Sequence, residues 1–183
     1  VKFLTPKQVK EIWPLCNVED LVGAIQHPED GYIQPADLTQ ALATGARNRG
    51  AEIYRNTAVI GIKQTKNGWV VETDKGTIEC EHVVSCTGNF ARQTGKMVGL
   101  DIPAIPVEHQ YIVTEPHPEI QKRKKEGLPE MGVLRDSDSR WYMREEAGGF
   151  ILGPYEDGAP CCYVDGPSKD SEYELFQEDL ERL

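Results

Sequence analysis

The stretch Ala58–Glu81, AVIGIKQTKNGWVVETDKGTIECE, constrains the fold more than any other part of this chain. Runs of mixed apolar and polar residues are interrupted at Lys66-Asn67-Gly68-Trp69 and Asp74-Lys75-Gly76-Thr77. Asn-Gly and Lys-Gly pairs supply the positive φ that tight hairpin turns require. The spacing predicts a three-stranded antiparallel meander over about 58–66, 69–73 and 77–81. Immediately afterwards His82-Val83-Val84-Ser85-Cys86 is apolar without alternation, the pattern of a strand covered on both faces in a parallel sheet. That run ends at Thr87-Gly88 and passes straight into a helix-like segment, Phe90–Val98. Ligand crevices in α/β sheets lie beyond the carboxyl ends of strands, and Gly88, lacking a Cβ, allows close backbone approach. On the residues alone, the junction reads first as a tight packing turn and second as a cofactor contact.

The flanking segments carry clear local signals. In LTPKQVKEIWP, Thr5 is placed as an N-cap, Pro6 at the first helical position, Gln8 to close a capping box and Pro14 as terminator. A short extended segment and a Pro/Asp/Gly turn follow. In ADLTQALATGARNRG, Leu38, Ala41, Leu42, Gly45 and Ala46 form a helical stripe, with Gly50 as left-handed cap. Downstream, a strand is expected over Val107–Thr114, fenced by prolines. MGVLRD, RWYMREE and GFILGPY are expected as strands of a second sheet. A last helix is expected in SKDSEYELFQEDLERL, capped by Ser171 and presenting Tyr173, Phe176 and Leu180 on one face. The class is therefore α/β to α+β.

The totals narrow the function classes. The chain has 183 residues, 39% of them apolar and 27% charged, which suits a globular domain. A net charge of −10 argues against a nucleic-acid partner, which needs a basic face. The basic run Gln121–Gly127 reads as a solvated loop or helix face. No segment reaches the roughly 18 apolar residues that cross a bilayer, so a soluble protein without a membrane partner is expected. The five cysteines contain no CxxC pair and read as reduced thiols in a cytoplasmic or mitochondrial-matrix-like compartment. Cys161-Cys162 reads as loop thiols rather than a vicinal disulfide or soft-metal site, and Asp136–Arg140 as a polar turn rather than a calcium loop. No metal site is expected. The N-terminus lacks an initiating Met and a visible targeting signal, as expected of the interior of a longer protein.

The succession GYIQPADLTQALATGARNRGAEIYRNTAVIGI, the meander, HVVSCTGNFA and IPAIPVEHQYIVTEP resembles the central part of FAD-dependent amine oxidoreductases of the D-amino-acid-oxidase superfamily, in particular dimethylglycine and sarcosine dehydrogenases. The resemblance extends over about Gly31–Tyr155. It implies a partial FAD-binding domain, a parallel-sheet remnant with the β-meander, and a mixed antiparallel substrate-binding sheet. Residues 1–105 would be the latter part of the FAD-binding domain, with room for an inserted N-terminal piece of the substrate domain. Residues 106–183 would be part of the substrate-binding domain, truncated at the C-terminal helix.

The resemblance also implies roles. Val59 would meet the adenine part of FAD through its backbone, Cys86, Thr87 and Gly88 would lie against the cofactor, and Phe90 takes the place of a bulky aromatic. His109 and Tyr142 resemble active-site residues of dimethylglycine oxidases. The implied reaction takes a hydride from the N-methyl carbon of a small amine to the flavin, leaving an iminium for water or a folate acceptor, with an electron acceptor reached through the parent protein. An imidazole, with an unperturbed pKa of about 6.5, accepts or shares a proton near neutrality, so His109 would be base or amine-orienting group. Tyr142 would donate a hydrogen bond to substrate, and Arg140 or Arg144 would clamp its carboxylate, on one face if the strand is regular. The residues alone leave His109 equally a locally satisfied strand histidine and Tyr142 a cross-strand aromatic beside Trp141. His27, His82 and His117 read as structural. The family's GxGxxG unit is absent, and with it the pyrophosphate cradle, so the isolated chain is expected to be inactive.

Overall fold

The computed structural model describes residues 1–168, 171 and 175–182. The chain divides into two compact units: Val1–Leu38 with His109–Asp157 and Asp179–Leu183, and Thr39–Glu108 with Gly158–Glu178.

The first unit opens with β1 (Lys2–Leu4), helix α1 (Pro6–Ile12) and β2 (Ala24–Gln26), β1 and β2 pairing antiparallel. The capping box of α1 forms as expected. The Gln8 amide donates to Thr5 Oγ1 at 3.4 Å and the Thr5 amide to Gln8 Oε1 at 2.9 Å. Because both donors would otherwise lack helical partners, Thr5→Ala is expected to cost about 1 kcal/mol, read as a lowered urea midpoint.

The larger sheet of this unit comprises β6 (Ile112–Val113), β7 (Leu134–Asp136), β8 (Trp141–Glu146) and β9 (Gly149–Pro154), in the order β6-β9-β8-β7, all antiparallel. Ala147 and Gly148 both take positive φ, which makes the β8–β9 connection a two-residue turn and sets Glu146 opposite Gly149. Every later pair follows from that register, including Tyr142 opposite Gly153. Alternation then splits the sheet. Leu134, Met143 and Phe150 point to a core completed by Trp13, Met131 and Ile120, the last on helix α4 (Pro118–Lys125). Tyr142, Arg144, Gly153 and Arg135 take the opposite face. The basic run forms the last turn of α4, where Lys122, Lys124 and Lys125 are exposed as on a solvated helix face, while Arg123 is half-buried and donates to the Pro129 carbonyl at 3.1 Å.

The second unit holds most of helix α2 (Pro35–Arg47) and the meander β3 (Val59–Thr65), β4 (Gly68–Thr73) and β5 (Gly76–Cys80), ordered β3-β4-β5. Both meander turns use positive-φ glycines, Gly68 and Gly76, and Gly50 closes α2 at φ 89°. A 3-10 turn, Gly88–Phe90, leads into α3 (Ala91–Lys96).

Four expectations need correction. The run His82–Cys86 belongs to no strand; every ladder among the described residues is antiparallel, so the parallel remnant is not formed there. A strand buried on both faces needs flanking strands to complete its hydrogen bonds, and none lies among the described residues; Val84 is 82% exposed. The α2 stripe forms but is not covered, with Leu42 at 66% exposure. The strand expected over Val107–Thr114 shrinks to Ile112–Val113 and a single bridge from Val107 to Cys161, because the chain passes between the two units at Glu108–His109. Of the last helix, Tyr173 lies outside the described residues, and 175–182 is not helical. All five cysteines are free thiols, and Asp136 Oδ1 caps a polar turn by accepting from the amides of Asp138 and Ser139. No helix of the described residues is long and apolar enough to cross a membrane.

Candidate active site

The first unit brings His109 and Tyr142 together across a separation of 33 residues, with the imidazole Nε2 3.0 Å from the tyrosine hydroxyl. Tyr142 stands in the middle of a cross-strand row, Arg135 opposite it on β7 and Gly153 on β9. The glycine makes room: a methyl group at 153 would overlap the Tyr142 ring. Burial raises the Tyr142 phenol above its ordinary value, and neighbouring Tyr155 and Tyr111 add to the shift while Arg144 opposes it. A phenol held in its neutral form can accept from the Nε2–H of a neutral imidazole, which leaves the phenol its own proton for a substrate and the imidazole its Nδ1 lone pair as a base.

Tyr155, just beyond β9, was not singled out in the sequence. Its ring centroid lies 5.5 Å from that of Tyr142 and 6.4 Å from that of His109, so three rings form one exposed-to-half-buried cluster. A register count from the Ala147-Gly148 turn would have found it, since Gly153 and Tyr155 share the face of Tyr142.

The two arginines part company. Arg140 has φ 58° and precedes the regular strand, so alternation does not carry it onto the Tyr142 face; its guanidinium pairs with Asp157. Arg144 does share that face. Its guanidinium carbon sits 4.2 Å from the Tyr32 ring centroid, pairs with Glu146 at 2.5 Å and donates to the Glu145 carbonyl at 2.9 Å. It lines a cleft of 660 Å³ together with Tyr32, Arg123, Glu130 and Gly148, whose walls include neither His109 nor Tyr142. A substrate carboxylate reaching Arg144 would compete with Glu146.

The second unit holds Val59, Cys86, Thr87, Gly88 and Phe90, all exposed. Val59 begins β3, one of the two edge strands of the meander, beside a register shift between Val59 and Gly61. The backbone of 82–87 lies outside every ladder, Thr87 Oγ1 is 3.1 Å from Ser85 Oγ, and a Cβ on Gly88 (φ 51°) would meet open space. An edge strand and an open, glycine-containing turn both leave backbone accessible to a ligand. Among the described residues no cluster of His, Cys, Asp or Glu is arranged to hold a metal ion.

Comparison with known proteins decides the family. The model of the DAO family, FAD dependent oxidoreductase, matches residues 1–183. The chain belongs to this family. Rat mitochondrial dimethylglycine dehydrogenase is 39% identical over 187 aligned residues, covering 99% of this chain and 21% of that protein. The mouse mitochondrial pyruvate dehydrogenase phosphatase regulatory subunit is 36% identical, covering 100% of this chain and 20% of that protein. Among solved structures, L-proline dehydrogenase from P. horikoshii superposes with a TM-score of 0.67 at 29% identity, covering 86% of this chain and 40% of that one. The chain thus spans about a fifth of the length of the curated relatives it matches.

Proposed function

We propose that this chain is a segment of a flavin-dependent amine oxidoreductase that oxidises an N-methylated glycine of the dimethylglycine or sarcosine type. The observation that supports this reading is the hydrogen-bonded His109–Tyr142 pair on a sheet face with room made for it by Gly153. In the complete protein FAD would supply the two-electron acceptor for a hydride from the N-methyl carbon. Val59, Cys86, Thr87, Gly88 and Phe90 would hold one side of it. His109 would take the ammonium proton so that the amine lone pair is available, and Tyr142 would orient the imidazole and donate to substrate. Arg144 is the better placed of the two carboxylate clamps, because it shares the Tyr142 face. Folate or an electron-transfer acceptor would engage through the parent protein, in a mitochondrial-matrix-like compartment in keeping with the relatives' names.

Since this sequence holds no GxGxxG, the isolated chain is inactive in this reading. Titration with FAD, followed by fluorescence quenching, is expected to saturate with the full-length protein and not with the 183-residue chain. A second reading, a non-catalytic interaction domain, draws on the relative named as a regulatory subunit. A folded full-length protein that fails to bind FAD would favour it and end the first.

A further inference from the structure

The strands around the His109–Tyr142 pair are arranged to hold a third ring. Tyr155 follows β9, and its amide donates to the Arg140 carbonyl at 2.6 Å, just past the last ladder pair, Trp141–Pro154. The Arg140 guanidinium pairs with Asp157, closing the turn after Tyr155. From β7, the Arg135 guanidinium carbon lies 5.5 Å from the Tyr155 ring centroid, within the distance at which a cation is attracted by a ring face. The ring then meets both His109, at an interplanar angle of 28°, and Tyr142, at 55°. Because Gly153 presents no side chain, the Tyr142 ring lies directly over it, and the next residue on that face of the chain is Tyr155.

We infer that Tyr155, steadied by Arg135 and Arg140, is a positioning residue that fixes the His109–Tyr142 hydrogen bond, an inference that rests on the function proposed above. Tyr155 need not touch substrate. Its ring limits the swing of Tyr142 and sets the face on which His109 lies. The charged and titratable groups facing the pair from the surrounding segments are Tyr111, Arg135, Arg144 and Tyr155. Arg140 then serves the site through its backbone carbonyl and its ion pair with Asp157.

The test uses the FAD-loaded full-length protein with N,N-dimethylglycine and the variants His109→Ala, Tyr142→Phe, Tyr155→Ala and Tyr155→Phe. Misplacement of reacting groups by about 1 Å costs on the order of 100-fold, so Tyr155→Ala is expected to lower kcat about 10- to 100-fold with little change in KM. The kcat–pH profile should shift, and Tyr155→Phe should restore most of the loss. A second readout needs no flavin: ultraviolet titration of the 183-residue chain against its Tyr142→Phe counterpart isolates the Tyr142 phenol. Its raised titration should move down toward the ordinary value in Tyr155→Ala and stay up in Tyr155→Phe, where the covering ring remains. A folded Tyr155→Ala protein with unchanged kcat and pH profile, alongside inactive His109→Ala, would overturn the inference and leave the proposed function standing. If His109→Ala and Tyr142→Phe are both fully active, the proposed function falls. The phenol titration then decides the inference alone, an unmoved phenol overturning it.

Discussion

Replacing His109 by alanine in the FAD-loaded full-length protein is expected to lower kcat/KM by about 100- to 10,000-fold, the range for a positioned acid–base group. The imidazole Nε2 already has a defined partner, the Tyr142 hydroxyl at 3.0 Å, which holds the ring in place. Loss of the imidazole removes the proton acceptor and leaves Tyr142 without its partner. Tyr142→Phe keeps the ring and its packing over Gly153 but removes the hydroxyl. A hydrogen bond to a charged group is worth roughly 1.5–3 kcal/mol, so that variant should lose about 10- to 100-fold. Stopped-flow reduction of the flavin by dimethylglycine separates these effects from product release. A folded His109→Ala protein that reduces its flavin at the normal rate would remove His109 from the chemistry.

The largest effect on stability is expected at Trp13. It is 3% exposed and packs against Phe150, itself 6% exposed, with ring centroids 5.9 Å apart. Its indole Nε1–H donates to the Gly132 carbonyl at 2.8 Å, tying the end of α1 to the segment that enters β7. Truncating a buried tryptophan to alanine costs about 3–5 kcal/mol, a large share of the roughly 5–15 kcal/mol that holds a typical domain folded. Trp13→Phe fills much of the same space but abandons the Gly132 carbonyl, and should cost about 1–3 kcal/mol. Urea unfolding of the chain followed by circular dichroism measures both. A Trp13→Ala loss of under about 1 kcal/mol would mean that the site is not a packed core.

Trp13 also shows where the sequence is a poor guide. Helix α1 is too short to display an apolar stripe, so its capping box and terminator were legible while the burial of Val9 within it and of Trp13 at its end was not. Met131 and Ile120, from a loop and from a lysine-rich helix, join the same core only because the sheet brings them there. Among the site residues, Tyr155 was readable in principle, from the two-residue turn at Ala147-Gly148 and the alternation that follows it. Arg140 was not. Its left-handed backbone and its pairing with Asp157 break the regular alternation that would have placed it beside Tyr142.

What the sequence by itself determined is the local architecture: the capped α1, the Gly50-terminated α2, the meander with its glycine turns, and the hairpin register that sets Tyr142 against Gly153. Each rests on interactions among residues close in sequence, where cap hydrogen bonds and positive-φ glycines leave few alternatives. Only the tertiary structure decided that His82–Cys86 lies outside any ladder, that Leu42 stays uncovered, and that His109 meets Tyr142 and Tyr155. The physical reason is that burial and ladder formation depend on which distant segments arrive alongside. A histidine's partner 33 residues away is fixed by sheet order, a property no local pattern encodes.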